Sequence, residues 1–214
     1  MLMDRNIPRI DSVFERILAV GAHPDDIELG CFGTLARFGA AGSALFFLVA
    51  TCGGVKGDLA TRRSEAEASA RLLGAVPVFG NLPDTAVPEG NPTIALVEAA
   101  IASFKPTVVI THSPNDSHQD HRNVSRAVVS AARFVPTVLF FQTPSSTRFF
   151  NPQMFVDITD HVAAKLAAVR LHESQGANVY MADRAVEGLA EFLGFQLYQG
   201  GKRYEGFEIH QAIL

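Results

Sequence analysis

The chain has 214 residues, 48% of them hydrophobic and 19% charged, and its 18 Lys and Arg against 22 Asp and Glu leave a formal net charge of −4. That balance excludes the low-hydrophobicity, high-charge regime of disordered chains, and it lacks the positive footprint needed to bind along a phosphate backbone. The length suits one α/β domain over residues 1–214.

Residues 1–14 carry Asp4, Arg5 and Asp11 and have no apolar core of the kind a signal peptide needs. The longest uncharged run, residues 38–55, is interrupted by Gly39, Gly42, Gly53 and Gly54. It reads as a buried strand with flanking turns rather than a membrane span. Cys31 and Cys52 give no disulfide framework and no zinc-finger spacing. Buried free thiols in a cytoplasmic protein are the expectation, with no membrane and no nucleic acid as partner.

In chain order, Ile17-Leu18-Ala19-Val20 is a continuous apolar run, as expected for a strand covered on both faces. His23-Pro24-Asp25-Asp26 follows at its carboxyl end, where Pro24 favours a turn. Gly30, Gly33 and Thr34 then suggest a small-residue helix packed close to a sheet and ending at Gly39. Residues 44–50 form the second strand, and a helix over 61–73 follows with Thr61 as its cap and Gly74 as its stop. A short strand over 76–79, a Pro-punctuated loop and a helix over 93–104 lead to the β-branched run 107–111. His118 opens the next helix. Strands at 138–141 and 155–158 flank a loop, residues 143–151, that suits a rim or a subunit contact. Helices over 161–172 and 182–193 and an extended stretch over 204–209 complete the chain. The alternation predicts a single Rossmann-like domain, a mostly parallel sheet with helices on both faces.

Two clusters stand out against this background: His23 with Asp25 and Asp26, and Asn115-Asp116-Ser117-His118-Gln119-Asp120-His121. Each follows an apolar strand, and open α/β sheets bind ligands at those ends. Alone, Asp25-Asp26 would be a solvated turn, and His112, His161 and His210 read as ordinary surface histidines. Two such clusters at one sheet edge instead offer the imidazole and carboxylate ligands of a catalytic metal site.

His23-Pro24-Asp25-Asp26 with Gly30 and Gly33-Thr34, then Asn115-Asp116-x-His118-x-Asp120-His121, resembles the LmbE-like/PIG-L family of zinc-dependent N-acetylglucosaminyl deacetylases. Arg62 with Glu65, Leu82-Pro83-Asp84, and Lys165 with His172-x-Ser174-Gln175 extend the likeness along most of the chain. The resemblance implies one Zn2+, or another divalent transition metal, on His23, Asp26 and His121, with Asp25 as general base. It further implies that His118, held by Asp120, serves the oxyanion and can protonate the leaving amine, and that Arg62 and Asp84 contact an amino-sugar conjugate. Homo-oligomers are common in such a family. Ser117 stands where some members have a tyrosine, which removes a phenolic contact to the oxyanion. Lys165, His172 and Gln175 fall outside the expected site, as does Glu28.

Two other classes compete with this reading. A phosphoesterase would use similar ligands but commonly holds two metals. A non-catalytic Rossmann-like binding module would place a Gly-rich phosphate turn after the first strand, where this chain has acids that repel phosphate.

Overall fold

The apolar runs become seven strands: β1 (Arg16–Gly21), β2 (Ala44–Thr51), β3 (Pro77–Leu82), β4 (Val108–His112), β5 (Thr137–Phe141), β6 (Met154–Asp157) and β7 (Tyr204–Ala212). The computed structural model describes residues 13–213, so the reading of residues 1–14 falls almost wholly outside the described residues. Six α-helices connect the strands among those residues: α1 (Asp26–Ala40), α2 (Leu59–Arg71), α3 (Asn91–Phe104), α4 (Gln119–Ala131), α5 (Val162–Arg170) and α6 (Asp183–Gln196). None of them is long and apolar enough to cross a membrane.

The sheet order is β3-β2-β1-β4-β5-β7-β6. The first five strands run parallel, and β7 lies antiparallel between β5 and β6. Alternate β1 side chains enter opposite layers. Ile17 and Ala19 pack with α1, α2, α5 and α6, while Leu18 and Val20 pack with α3 and α4. All four are fully buried; exposing a side chain such as Ile17 or Leu18 would forfeit about 1.5–3 kcal/mol. This is the doubly covered sheet that the unbroken run predicts.

Gly30 and Gly33 hold α1 against its neighbours. A Cβ on Gly33 would lie 2.7–3.0 Å from Ile158, and one on Gly30 would enter the Phe141 ring. The expectation that Thr61 caps α2 is corrected: Asp58 is the cap, its Oδ2 accepting from the Thr61 N–H and hydroxyl, each at 2.8 Å. A carboxylate reaching an N–H three residues on is the stronger cap.

The connection leaves β1 toward β2 on one side, while β4 pairs with β1 on the other. The crevice between the carboxyl ends of β1 and β4 is therefore the switch point of the sheet, the place where such folds bind ligands. Both polar clusters of the sequence emerge there.

Candidate metal centre and active site

Beyond Gly21 the chain turns through Ala22–Pro24 and enters α1 at Asp26. Asp25, at the helix N-cap, has φ 105° and ψ −22°, a left-handed conformation costing a non-glycine residue on the order of 1–3 kcal/mol. Arg62 braces it. Its guanidinium donates to the Pro24 carbonyl and to Asp25 Oδ2, the latter at 3.0 Å. The opposite wall is Gly53, itself at φ +67°, where a Cβ would lie 2.8–2.9 Å from the guanidinium. Arg62 is only 3% exposed. The sequence expectation made Arg62 a substrate contact; it lines the cavity, but its hydrogen bonds go to the loop that carries Asp25.

Three side chains converge beside this loop. His23 Nδ1 lies 3.4 Å from Asp26 Oδ2, His121 Nε2 lies 3.4 Å from Asp26 Oδ1, and the two imidazole nitrogens are 3.3 Å apart. Tetrahedral coordination with bonds of about 2.0–2.1 Å puts ligand atoms roughly 3.3–3.4 Å from one another, so the spacing suits one small divalent cation, the two imidazoles facing different oxygens of Asp26. Outer partners aim the lone pairs inward. His23 Nε2 faces Asp120 Oδ2 at 3.1 Å and Asp84 Oδ1 at 3.2 Å, and His121 Nδ1 faces Asp116 Oδ2 at 3.0 Å. A proton shared with those carboxylates leaves the opposite nitrogen free. Overlapping sets that include His118, His112, or Asp84 with Asp120 also satisfy ligand spacing. Asp84 and Asp120 accept the backbone N–H groups of Val55, Thr85 and Val87, as Asp26 Oδ2 accepts that of His23 at 2.7 Å.

Asp120 does not hold His118 through its carboxylate, contrary to the sequence expectation. The Asp120 backbone N–H donates to His118 Nδ1 at 3.2 Å, because His118 is the N-cap of α4, and the Asp120 carboxylate turns to His23. The neutral His118 ring therefore carries its proton on Nε2. Asp116 does the holding that was not anticipated. It accepts from the His118 N–H at 2.8 Å and the Thr143 hydroxyl at 2.7 Å while orienting His121.

His112 corrects a second expectation. Read as a surface histidine, it is fully buried at the end of β4, stacked on His121 with ring centroids 3.9 Å apart. Its Nε2 accepts from Ala22 N–H at 2.9 Å and lies 3.2 Å from Asp26 Oδ2, while its Nδ1 has no hydrogen-bond partner among the described residues. Strand alternation carries the signal: Val108 and Ile110 face the core, and His112 is next on the same side.

The charges are unbalanced. Burial opposes a proton on His23, yet Asp120, Asp26 and Asp84 outweigh it and push its pKa up to about 12. His121 rises to about 9, Asp26 and Asp116 overcoming burial. Burial and the positive field of His121 bring His112 down to about 4. The crevice thus favours positive charge at the point where the three donors meet. Burial, with the neighbouring Asp26 charge, lifts Asp25 to about 7, close to the ideal for a base at neutral pH. Burial and the neighbouring His121 and His23 hold His118 below its ordinary value and so uncharged.

His23, Asp25, Asp26, Asp84, His118 and His121 line a cavity of about 300 Å³ together with Lys56, Tyr180 and Gln175. Gln175, set outside the site in the sequence reading, reaches it by donating to the Lys56 carbonyl at 3.1 Å. Pro144 and Ser145 make the 143–151 loop a rim. Glu28 stays behind the cavity, accepting from Ser69 with His172 at 3.4 Å, and Lys165 pairs with Glu205.

Residues 18–132 match the family model described as PIG-L, GlcNAc-PI de-N-acetylase. The chain is 36% identical to the uncharacterized deacetylase YaiS of Escherichia coli strain K12 over 167 residues, covering 74% of this chain and 90% of that protein. It is 30% identical to the diacetylchitobiose deacetylase of Thermococcus kodakarensis, over 75% of this chain and 70% of the relative. The crystal structure of conserved protein TT1542 from Thermus thermophilus superimposes with a TM-score of 0.82 at 27% identity, covering 94% of this chain and 96% of the other. With more than half its length inside the family model and its two polar clusters meeting at one crevice, the chain belongs to the PIG-L family of de-N-acetylases.

Proposed function

We propose that this N-deacetylase removes the acetyl group from an N-acetylglucosamine-type amino sugar or its conjugate in the cytoplasm, with one divalent cation per chain, zinc first among candidates. The observation that supports it best is the trio of His23 Nδ1, Asp26 and His121 Nε2 at 3.3–3.4 Å spacing, in a cavity that Asp25 also lines. A cation there would polarise the amide carbonyl and a water, lowering the pKa of the latter toward ~7.

Asp25 takes a proton from that water as its oxygen bonds to the amide carbon. His118 donates its Nε2–H to the negative charge growing on the carbonyl oxygen, a role a neutral imidazole fills without a net charge change. When the C–N bond breaks, Asp25 returns its proton to the leaving amine and acetate departs. Burial and the neighbouring Asp26 charge raise Asp25 above the usual carboxylate range, which suits it both to accept that proton and to return it. Asp84 and Arg62 face the sugar hydroxyls from the wall of the cavity.

Elemental analysis should find about one metal per chain, and a chelator should abolish release of free amine from N-acetylglucosamine conjugates. Two metals per chain with phosphate-ester hydrolysis would move the reading to a phosphoesterase. Full amidase activity in the metal-free protein would refute the metal assignment.

A further inference from the structure

A second cavity of about 230 Å³ lies against the first, and the two share Leu29, Pro144 and Tyr180 as lining. We infer that this second cavity is a subsite for a phenyl-sized apolar group carried by the substrate, an inference that rests on the deacetylase reading for the polar end of the same molecule.

The two cavities differ in chemistry. The metal cavity is walled by imidazoles, carboxylates, a lysine and a guanidinium. Its neighbour is walled along one side by α6, where Val186, Leu189, Ala190 and Leu193 recur at the three- and four-residue spacing of a single helix face. The charged groups it meets are already engaged. Lys165 Nζ donates to the Leu29 carbonyl at 2.6 Å and to Glu205, and Glu205 accepts the N–H groups of Gly33 at 3.1 Å and Thr34 at 2.7 Å. Thr143, also on the wall, gives its hydroxyl proton to Asp116. Gln142, Tyr180 and Tyr204 leave polar atoms at this wall for a linker, while the Val186–Leu193 face of α6 offers an apolar group burial.

Size is consistent with that occupant. An apolar protein cavity of about 150 Å³ accepts benzene, so 230 Å³ takes one ring with room for its linker. Tyr180, 36% exposed, lines both cavities and offers an aromatic ring to a second one. An aryl group on the aglycone and one on the acyl chain share this chemistry, and the two arms of the test below distinguish them.

The test compares N-acetylglucosamine, its phenyl glycoside and N-phenylacetylglucosamine as substrates of the metal-loaded protein. We expect KM to fall roughly tenfold or more for one of the two aryl compounds, and the one that improves identifies the side of the substrate that enters. In Leu189→Asp, a change at a 40% exposed position, that advantage should shrink to within about twofold, with thermal unfolding reporting that the fold persists. Equal KM for all three substrates, with turnover observed, overturns the subsite. If no substrate is turned over, the deacetylase reading has failed, and calorimetric binding of phenyl glucosaminide and phenylacetate to the protein decides the cavity by itself. Binding of either at least tenfold tighter than its ring-free counterpart, weakened by Leu189→Asp, upholds the subsite; affinities equal to glucosamine and acetate overturn it.

Discussion

Two of the groups of buried charge along α1 differ in how their charges close. At its first turn, Asp25, Asp26, Asp84, Asp116 and Asp120 surround the imidazoles of His23 and His121, with Arg62 as the fixed cation. Midway along the helix, Lys165 and Glu205 meet one to one, and their remaining valences end on the backbone of Leu29, Gly33 and Thr34. The second group is neutral and closed, and joins α5, β7 and α1. The first carries excess negative charge and gathers His23 Nδ1, His121 Nε2 and Asp26 at a common position. A buried pair that is closed acts on the fold, whereas an unbalanced cluster stays costly until a cation completes it.

That contrast can be broken by substitution. The largest effect belongs to Asp25→Asn, which should lower kcat by about 10²–10⁴-fold while metal content stays at one; Asn tolerates the left-handed backbone, so unfolding should not confuse the result. Next, Lys165→Met strands the Glu205 carboxylate and should cost about 3–5 kcal/mol in denaturant unfolding, with metal stoichiometry unchanged in the protein that remains folded. A large loss of metal from Lys165→Met would erase the distinction between the two groups. Asp116→Asn should weaken metal binding about 10–100-fold, read by competition with a chelator, because His121 loses the acceptor that fixes its tautomer. The smallest effect is at Asp157. Burial raises its pKa, but the hydrogen bonds of Thr159 and Lys202 together outweigh it and bring it down to about 2. A depressed carboxylate contributes stability above its unfolded value and loses it as pH falls through the folded one. Asp157→Asn should therefore flatten acid destabilisation a little between about pH 4 and 2, with no change in metal binding.

The strands were legible because an unbroken apolar run such as Ile17–Val20 has few other homes than the centre of a covered sheet. The place of the site was legible for a related reason: strand ends on a parallel sheet gather at one edge. Partner choice was not. That Asp120 would turn to His23 rather than His118 depends on which carboxylate the β3–α3 loop covers with its amides. Asp58 displaced Thr61 as a cap by reaching forward three residues, a competition between neighbours that spacing leaves open. His112 escaped because the β-branched run ends at Thr111, although β4 itself continues one residue further. The antiparallel insertion of β7 between β5 and β6 has no marker in a short extended stretch.

His23 and His121 are 98 residues apart in the chain yet stand 3.3 Å apart across β1 and β4. No fragment ending before α4 contains both, so a growing chain gains its full affinity for the cation only after β4 has docked beside β1 and α4 has emerged. Loading then follows folding and reports on it. A cation that binds this arrangement and not the unfolded chain stabilises it by mass action, about 2.7 kcal/mol at a free concentration one hundred times Kd. The seam between β1 and β4 thereby ties occupation of the proposed site to the docking of those two strands.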